Sequence, residues 1–210
     1  MSLAGLFLIV YLLVHMGINL LVILYDSPQN FNIAAHFMGS NPVIRVFEIV
    51  LFLGFLLHIV YGLIVSYKNK TARPIGYRLK KNSSTEYFSN YMTHTALIIF
   101  VFLVIHLVDF YVKAKITHEG IAYANYDGID YKDLGSLVIA KFKIGGYVIF
   151  YVAALLFLGF HLLHGFYSAF QTLGLTHKKY TPFIKGVAVV YTLVVTLGFI
   201  SIPLYVYFFK

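Results

Sequence analysis

The sequence predicts an all-α fold, an integral membrane bundle of five transmembrane helices with its N-terminus in the cytoplasm. Three observations carry that prediction. Hydrophobic residues make up 60% of the 210 and charged residues only 11%, against about 25% charged in a soluble domain, and the mean hydropathy is +0.81. Five apolar stretches are each long enough to cross a hydrocarbon core of about 30 Å at about 1.5 Å per helical residue. Lys and Arg gather between alternate stretches, the pattern that sets membrane topology.

The first stretch, residues 3–24, starts almost at Met1 without a basic leader or a small-residue cleavage site. It is too long for a signal-peptide core and reads as a retained helix. Residues 25–42 carry no Lys or Arg and read as a loop into the second stretch, 43–66, which is followed by YKNKTARPIGYRLKK with six Lys and Arg. The third stretch is 92–112. Segment 113–143 then mixes five Lys with Glu119, Asp127, Asp130 and Asp133; the Asp and Gly of YANYDGIDYKD occupy turn-forming positions and predict a short ordered cap outside the membrane. The fourth stretch, 146–170, leads through THKKYTPFIK, with three Lys, to the fifth, 184–209. The positive-inside rule places the N-terminus and both basic segments in the cytoplasm. The whole chain, 1–210, reads as one transmembrane domain.

A net charge of +8 does not imply nucleic acid here, because the basic residues sit at helix ends, where they serve topology and anionic headgroups of the lipid bilayer. The absence of cysteine rules out disulfides, iron–sulfur ligation by this chain and c-type haem attachment. Any metal must be held by histidine, carboxylate or carbonyl. No repeat or low-complexity segment is present.

Four helices carry a histidine near mid-membrane, in LLVHMG (His15), FLLHIVYG (His58), FLVIHLVDF (His106) and GFHLLHGF (His161). An ionisable residue at that depth costs a few kcal/mol and marks a functional candidate. A lone one is ordinarily a hydrogen bond to a neighbouring helix, but four on four helices are not explained that way. The first and third helices run outward, and His15 and His106 follow their midpoints, in the outer half. The second and fourth run inward, which puts His58 and His161 in the inner half. Two imidazoles facing each other across a bundle can hold haem iron from both sides, so two pairs imply two stacked b haems. Zinc prefers about four ligands at one depth and fits this pairing less well. Gly54 and Gly62 flank His58 by four residues and Gly165 follows His161 by four; positions four apart share a helix face, so the backbone there can approach a flat macrocycle. Two axial histidines leave iron no open position, which points to electron transfer.

NIAAHFMGSNP, then FEIVLFLGFLLHIVYGLIVSY, VIHLVDF and GFHLLHGFYSAFQTLG resemble the single-chain, five-helix, dihaem cytochrome b subunit of succinate:quinone oxidoreductases and quinol:fumarate reductases. The likeness runs over nearly the whole chain. It departs from the family's pattern in lacking residues ahead of the first helix and in reading MTHTA where relatives tend to have Thr-Gly. The four family ligands fall on His15, His58, His106 and His161, and in the HxxxG pattern the first histidine, His161, is the ligand. The resemblance implies a subunit of a respiratory succinate dehydrogenase or fumarate reductase in the inner (cytoplasmic) membrane of a prokaryote. Its partners would be a flavoprotein with FAD and an iron–sulfur protein, docked on the cytoplasmic basic segments around 68–81 and 177–185. Electrons would pass from the iron–sulfur centres to the inner haem (His58, His161), the outer haem (His15, His106) and a quinone near the outer face, menaquinone by resemblance. Succinate would not touch this chain. The rival expectations are a haem-free membrane anchor, and the cytochrome b subunit of another quinone-linked dehydrogenase or of a hydrogenase.

Two further expectations concern single residues. His164, one turn nearer the cytoplasm than His161, and His94 are placed to hydrogen-bond the inner haem's propionates. Glu48, about two turns into the second helix, sits at a costly depth for a carboxylate unless protonated or partnered; it suits the proton exchange of quinone chemistry, with His36 and Asn32 of the preceding outer loop hydrogen-bonding the quinone carbonyls. Arg45, one turn earlier, is the obvious partner for a plain helix ion pair with Glu48.

Overall fold

A computed structural model describes the backbone of residues 1–72 and 84–210 and the side chains of residues 1–72 and 91–210. Arg73, Arg78, Lys80 and Lys81 of the first basic segment lie outside the described residues. The elements in chain order are α1 (Ser2–Leu24), α2 (Gln29–Ser40), α3 (Pro42–Thr71), α4 (Ser84–His106) running on as π-helical turns over Leu107–Thr117, the strands β1 (Tyr123–Tyr126) and β2 (Ile129–Lys132), α5 (Leu134–Phe142), α6 (Gly145–Thr172) and α7 (Thr181–Phe209). Among the described residues five helices are long and apolar enough to cross a membrane: α1, α3, Tyr91–Thr117, α6 and α7. The all-α membrane bundle predicted from hydropathy is the architecture found.

Alternation of the five spans gives the bundle two ends. At one lie the N-terminus, Lys68 and Lys70 in the last turn of α3, and the basic connection after α6, here called the basic end; at the other lie α2, the hairpin, α5 and the C-terminus, the cap end. Residues 25–42, read from sequence as a loop, contain α2, which packs against α3, α5 and β2. Burial of Phe31 and Asn32 against the cap, a tertiary effect, stabilises this short helix where its own hydropathy would not. Asn41 ends α2 and starts α3: its Oδ1 accepts from the amides of Val43 (2.9 Å) and Ile44 (3.4 Å), and Pro42 occupies the first helical position, where a missing N–H costs nothing.

The expected ordered cap is a β-hairpin followed by α5. Asp127 and Gly128 both have positive φ, 52° and 82°, the two-residue turn whose twist matches paired strands, and Tyr126 pairs with Ile129 across it. Asp133 then caps α5 by accepting from the Ser136 amide at 3.1 Å. The third span outruns the expected 92–112, and its last turns have π geometry, closed by the His118 amide bonding the Lys113 carbonyl five residues back at 2.9 Å.

The core gathers around α6. Its buried residues recur every three or four positions, from Val148 and Tyr151 through Leu155, Gly159 and Leu162 to Phe166 and Ala169, the stripe of a helix that buries one face. That stripe meets α7, α4 and α1. Gly159 allows a close approach to α7, since a Cβ there would lie 2.8 Å from Thr196 Oγ1; small residues at such crossings substitute for the hydrophobic drive that lipid does not provide. In contrast, α3 is peripheral, packs on α1 and α2, and has Gly54 as its buried residue.

Candidate functional site

On the cap side, α1 and α4 bring His15 and His106 together with ring centroids 5.7 Å apart and planes at 88°. On the basic side, α3 and α6 bring His58 and His161 to 6.1 Å and 72°. Four histidines that the sequence distributes over 147 positions thus meet as two pairs, in the combination expected from depth. Imidazole–metal bonds of about 2 Å put the centroids of two axial rings on one ion about 6 Å apart, so both separations fit a single iron between the rings.

The surroundings of the pairs differ. Gly5 lies beside the His58 ring, where a Cβ would stand in ordinary contact with Cε1 at 3.6 Å. Nothing lies within 4 Å of the Cβ positions of Gly17 and Gly165, on the ligand helices α1 and α6, whereas Gly54 faces Phe7 and Gly62 faces Met1. The space beside Gly165 is open, whereas Gly54, expected to lie against a macrocycle, packs α3 on α1. The Nδ1 atoms of His58 and His161 are buried with no hydrogen-bond partner in the protein. On the cap side, His106 Nδ1 lies 3.3 Å from the Tyr151 hydroxyl, and His15 Nδ1 lies 3.4 Å from the Asn19 amide, which also donates to the His15 carbonyl at 2.8 Å. Among the described residues no three His, Asp or Glu side chains converge as metal ligands, so a zinc centre of about four ligands has no place among them. The donor set fits haem.

Beyond His106 a chain of hydrogen bonds continues to the cap. The Tyr151 and Tyr147 hydroxyls are 2.9 Å apart, Tyr147 donates to Asp109 Oδ2 at 2.8 Å, and Lys141 donates to Asp109 Oδ1 at 2.6 Å. The rings of Tyr147 and Tyr151 stack at 4.6 Å, as their spacing of four on α6 allows.

Glu48 faces the π-helical turns. It accepts from the Tyr111 hydroxyl at 2.6 Å and from Lys115 Nζ at 3.2 Å, and Lys115 also donates to the Gly39 carbonyl. The expected Arg45–Glu48 helix pair is corrected by these bonds: Arg45 Nε turns back to the Gly39 carbonyl at 3.3 Å, and the carboxylate's partners come from another helix. π geometry frequently marks functional sites, and here it aims Tyr111 and Lys115 at α3.

Asn32 is also corrected. It is fully buried, donates to Tyr126 Oη at 3.1 Å and Asp133 Oδ1 at 2.8 Å, and accepts from the Gly135 amide at 2.8 Å. An amide so committed has nothing left for a quinone carbonyl; it locks α2 to the cap. Burial pushes the Asp133 carboxyl up, but the bonds from Asn32 and Ser136 outweigh it and hold it below the ordinary carboxylate value. His36 is exposed and sits edge-on to Tyr131 at 5.0 Å. Towards the basic end, His94 is exposed beside Tyr91 and His164 is half-buried. There too, Lys185 lies over the Tyr167 ring at 4.7 Å.

Sequence reasoning missed Tyr111 and Lys115, whose partners lie on other elements, and also Asn19, Tyr147 and Tyr151, although Asn19 follows His15 by four and the two tyrosines are four apart on one helix. Asp109 was available to it: an acid three residues after a mid-membrane histidine is itself a costly residue.

No curated protein and no solved structure matches the chain. The family of the succinate dehydrogenase/fumarate reductase transmembrane subunit matches residues 68–200, a range that contains one histidine of each pair, His106 and His161, and the π-helical turns. With well over half of its length matched, the chain belongs to the succinate dehydrogenase/fumarate reductase transmembrane subunit family.

Proposed function

We propose that this membrane-anchor subunit is a dihaem cytochrome b that carries electrons between an iron–sulfur partner and membrane quinone. The observation that supports it is the pairing of four intramembrane imidazoles, from four helices, at 5.7 and 6.1 Å. His15 and His106 would hold one b haem, and His58 and His161 the other. When bound, a haem with both axial positions filled supplies one-electron transfer and no open position for oxygen.

The chain's own residues have three tasks. The basic end, in the cytoplasm by the positive-inside rule, presents Lys178, Lys179 and Lys185 to the iron–sulfur protein that accompanies the FAD flavoprotein, where succinate and fumarate interconvert. The imidazole rings are held at fixed depth by their helices, two per half-membrane. At the cap end Glu48, hydrogen-bonded to Tyr111 and ion-paired with Lys115, takes up or releases the protons that quinone reduction consumes and quinol oxidation frees. His36, exposed at the same end, is the remaining candidate for a quinone carbonyl. The quinone is menaquinone and the membrane a prokaryotic cytoplasmic membrane, on the resemblance described above.

The test is haem quantitation and spectroscopy on the complex purified with its partners. The expected result is two protohaems per chain, both six-coordinate and low-spin; His161→Ala loses the inner haem, whereas His164→Ala keeps two. One haem per chain, a high-spin ferrous form that binds carbon monoxide, or a full haem complement in His161→Ala would overturn the proposal, and no haem at all would leave a plain anchor.

A further inference from the structure

We propose that Asp109, acting through Tyr147 and Tyr151, sets the tautomer of His106 and so leaves the Nε2 lone pair free to ligate the outer haem. The inference rests on the dihaem reading above and adds Asp109, Tyr147 and Tyr151, which that reading does not use.

His106, Tyr151, Tyr147, Asp109 and Lys141 form one hydrogen-bonded chain in which the protons can be counted. Each tyrosine hydroxyl has one proton to donate, and an ionised carboxylate can only accept. Asp109 is ion-paired with Lys141 at 2.6 Å, so the proton between Asp109 Oδ2 and the Tyr147 hydroxyl, 2.8 Å apart, belongs to Tyr147. The Tyr147 hydroxyl is aimed to donate to Tyr151 at 2.9 Å as well, but its single proton goes to the charged acceptor, so the proton that fills the contact between the two tyrosines is that of Tyr151, turned towards the Tyr147 oxygen. The Tyr151 oxygen then offers a lone pair to His106 Nδ1 at 3.3 Å, which a protonated Nδ1 satisfies and a bare one does not. A neutral imidazole protonated at Nδ1 carries its lone pair on Nε2. The opposite order, with Tyr147 donating to Tyr151, would set a lone pair against a carboxylate oxygen at 2.8 Å. The ion pair near the cap therefore dictates which nitrogen of a mid-membrane histidine is free to ligate.

The inner pair has no such device, since Nδ1 of both His58 and His161 is buried and unpartnered. Donation from Nδ1–H makes an imidazole a more basic ligand, and a more basic ligand favours ferric iron. Breaking the chain should raise the potential of the outer haem and leave the inner one alone.

The competing account is packing, because Tyr151 also sits edge-on to Phe102 at 4.9 Å and to Phe142 at 5.0 Å. Tyr151→Phe separates the two, as it keeps the ring and removes the hydroxyl. Redox titration and low-temperature EPR of the holo complex read the result, with His106→Ala identifying which haem is the outer one. The expected outcome for Tyr151→Phe is two haems, an upward shift of the outer potential with a changed low-spin g value, and an unmoved inner haem. Tyr147→Phe shifts the same haem in the same direction by less, and decides the matter if Tyr151→Phe does not assemble. Phe150→Leu, which disturbs the same aromatic cluster without a hydroxyl, leaves both potentials in place. Wild-type potentials and g values in Tyr151→Phe or in Tyr147→Phe overturn the inference. If His106→Ala keeps both haems, the dihaem reading falls first; if it loses one and Tyr151→Phe is silent, only the tautomer inference falls.

Discussion

Replacing Glu48 by Gln separates a proton-exchanging carboxyl from a structural one. The substitution keeps the size of the side chain and an oxygen that can accept from Tyr111 at 2.6 Å, while it removes the charge opposite Lys115 at 3.2 Å. The Gln side chain keeps the Tyr111 bond and Lys115 keeps the Gly39 carbonyl, so neither neighbour is left without a hydrogen bond. Stability and haem content should therefore stay close to wild type. Quinone turnover should not: if Glu48 carries the protons, Gln cannot, and the expected loss is at least tenfold, about 1.4 kcal/mol in barrier. The assay compares dye-linked succinate oxidation, which bypasses the quinone, with quinone-linked oxidation in the same purified complex. Lys115→Met is the counterpart, for it breaks the same ion pair and keeps the carboxyl; it should slow quinone turnover less than Glu48→Gln. Normal quinone turnover in Glu48→Gln with two haems bound, or an equal loss in Lys115→Met, would refute the proton role and leave Glu48 as a clamp between α3 and the π-helical turns.

Asn32→Ala strands the buried amide of Gly135 without its acceptor, a loss of about 1–3 kcal/mol, so hydrogen exchange of residues 123–142 should accelerate; wild-type protection there would contradict the lock. Asp133, held below its ordinary value of about 3.9, contributes cap stability that is complete above that unfolded value and is lost as pH falls through the lower folded one. Exchange in the cap should rise below about pH 4 and lose that pH dependence in Asp133→Asn. Gly159→Ala forces a methyl against Thr196 Oγ1 at 2.8 Å and should cost about 1–3 kcal/mol in thermal or denaturant unfolding. Adding Thr196→Ala, which also removes a buried hydroxyl without a partner, should recover part of that loss; additive losses would show that the two helices do not meet there.

Much of this molecule is legible one residue at a time. Length and hydropathy decide which segments cross a bilayer, because lipid solvates each side chain and each helix satisfies its own backbone. Alternation of direction then sorts His15 with His106 and His58 with His161 by depth, and the structure brings those residues together. The sequence by itself also showed that Glu48 needed a partner, but not which: an adjacent Arg45 was the local choice, and Lys115 and Tyr111, more than sixty positions away, are the ones found. Asn32 looked like a polar residue free in a loop until Gly135 and Asp133, about a hundred positions on, were folded over it. The run from His106 to Lys141 crosses α4, its π-helical continuation, α6 and α5, and no spacing within one helix encodes it. Hydrophobic depth is additive along a chain and can be summed from composition, whereas a hydrogen bond needs two groups within about 3 Å, a distance that only the packing of helices sets.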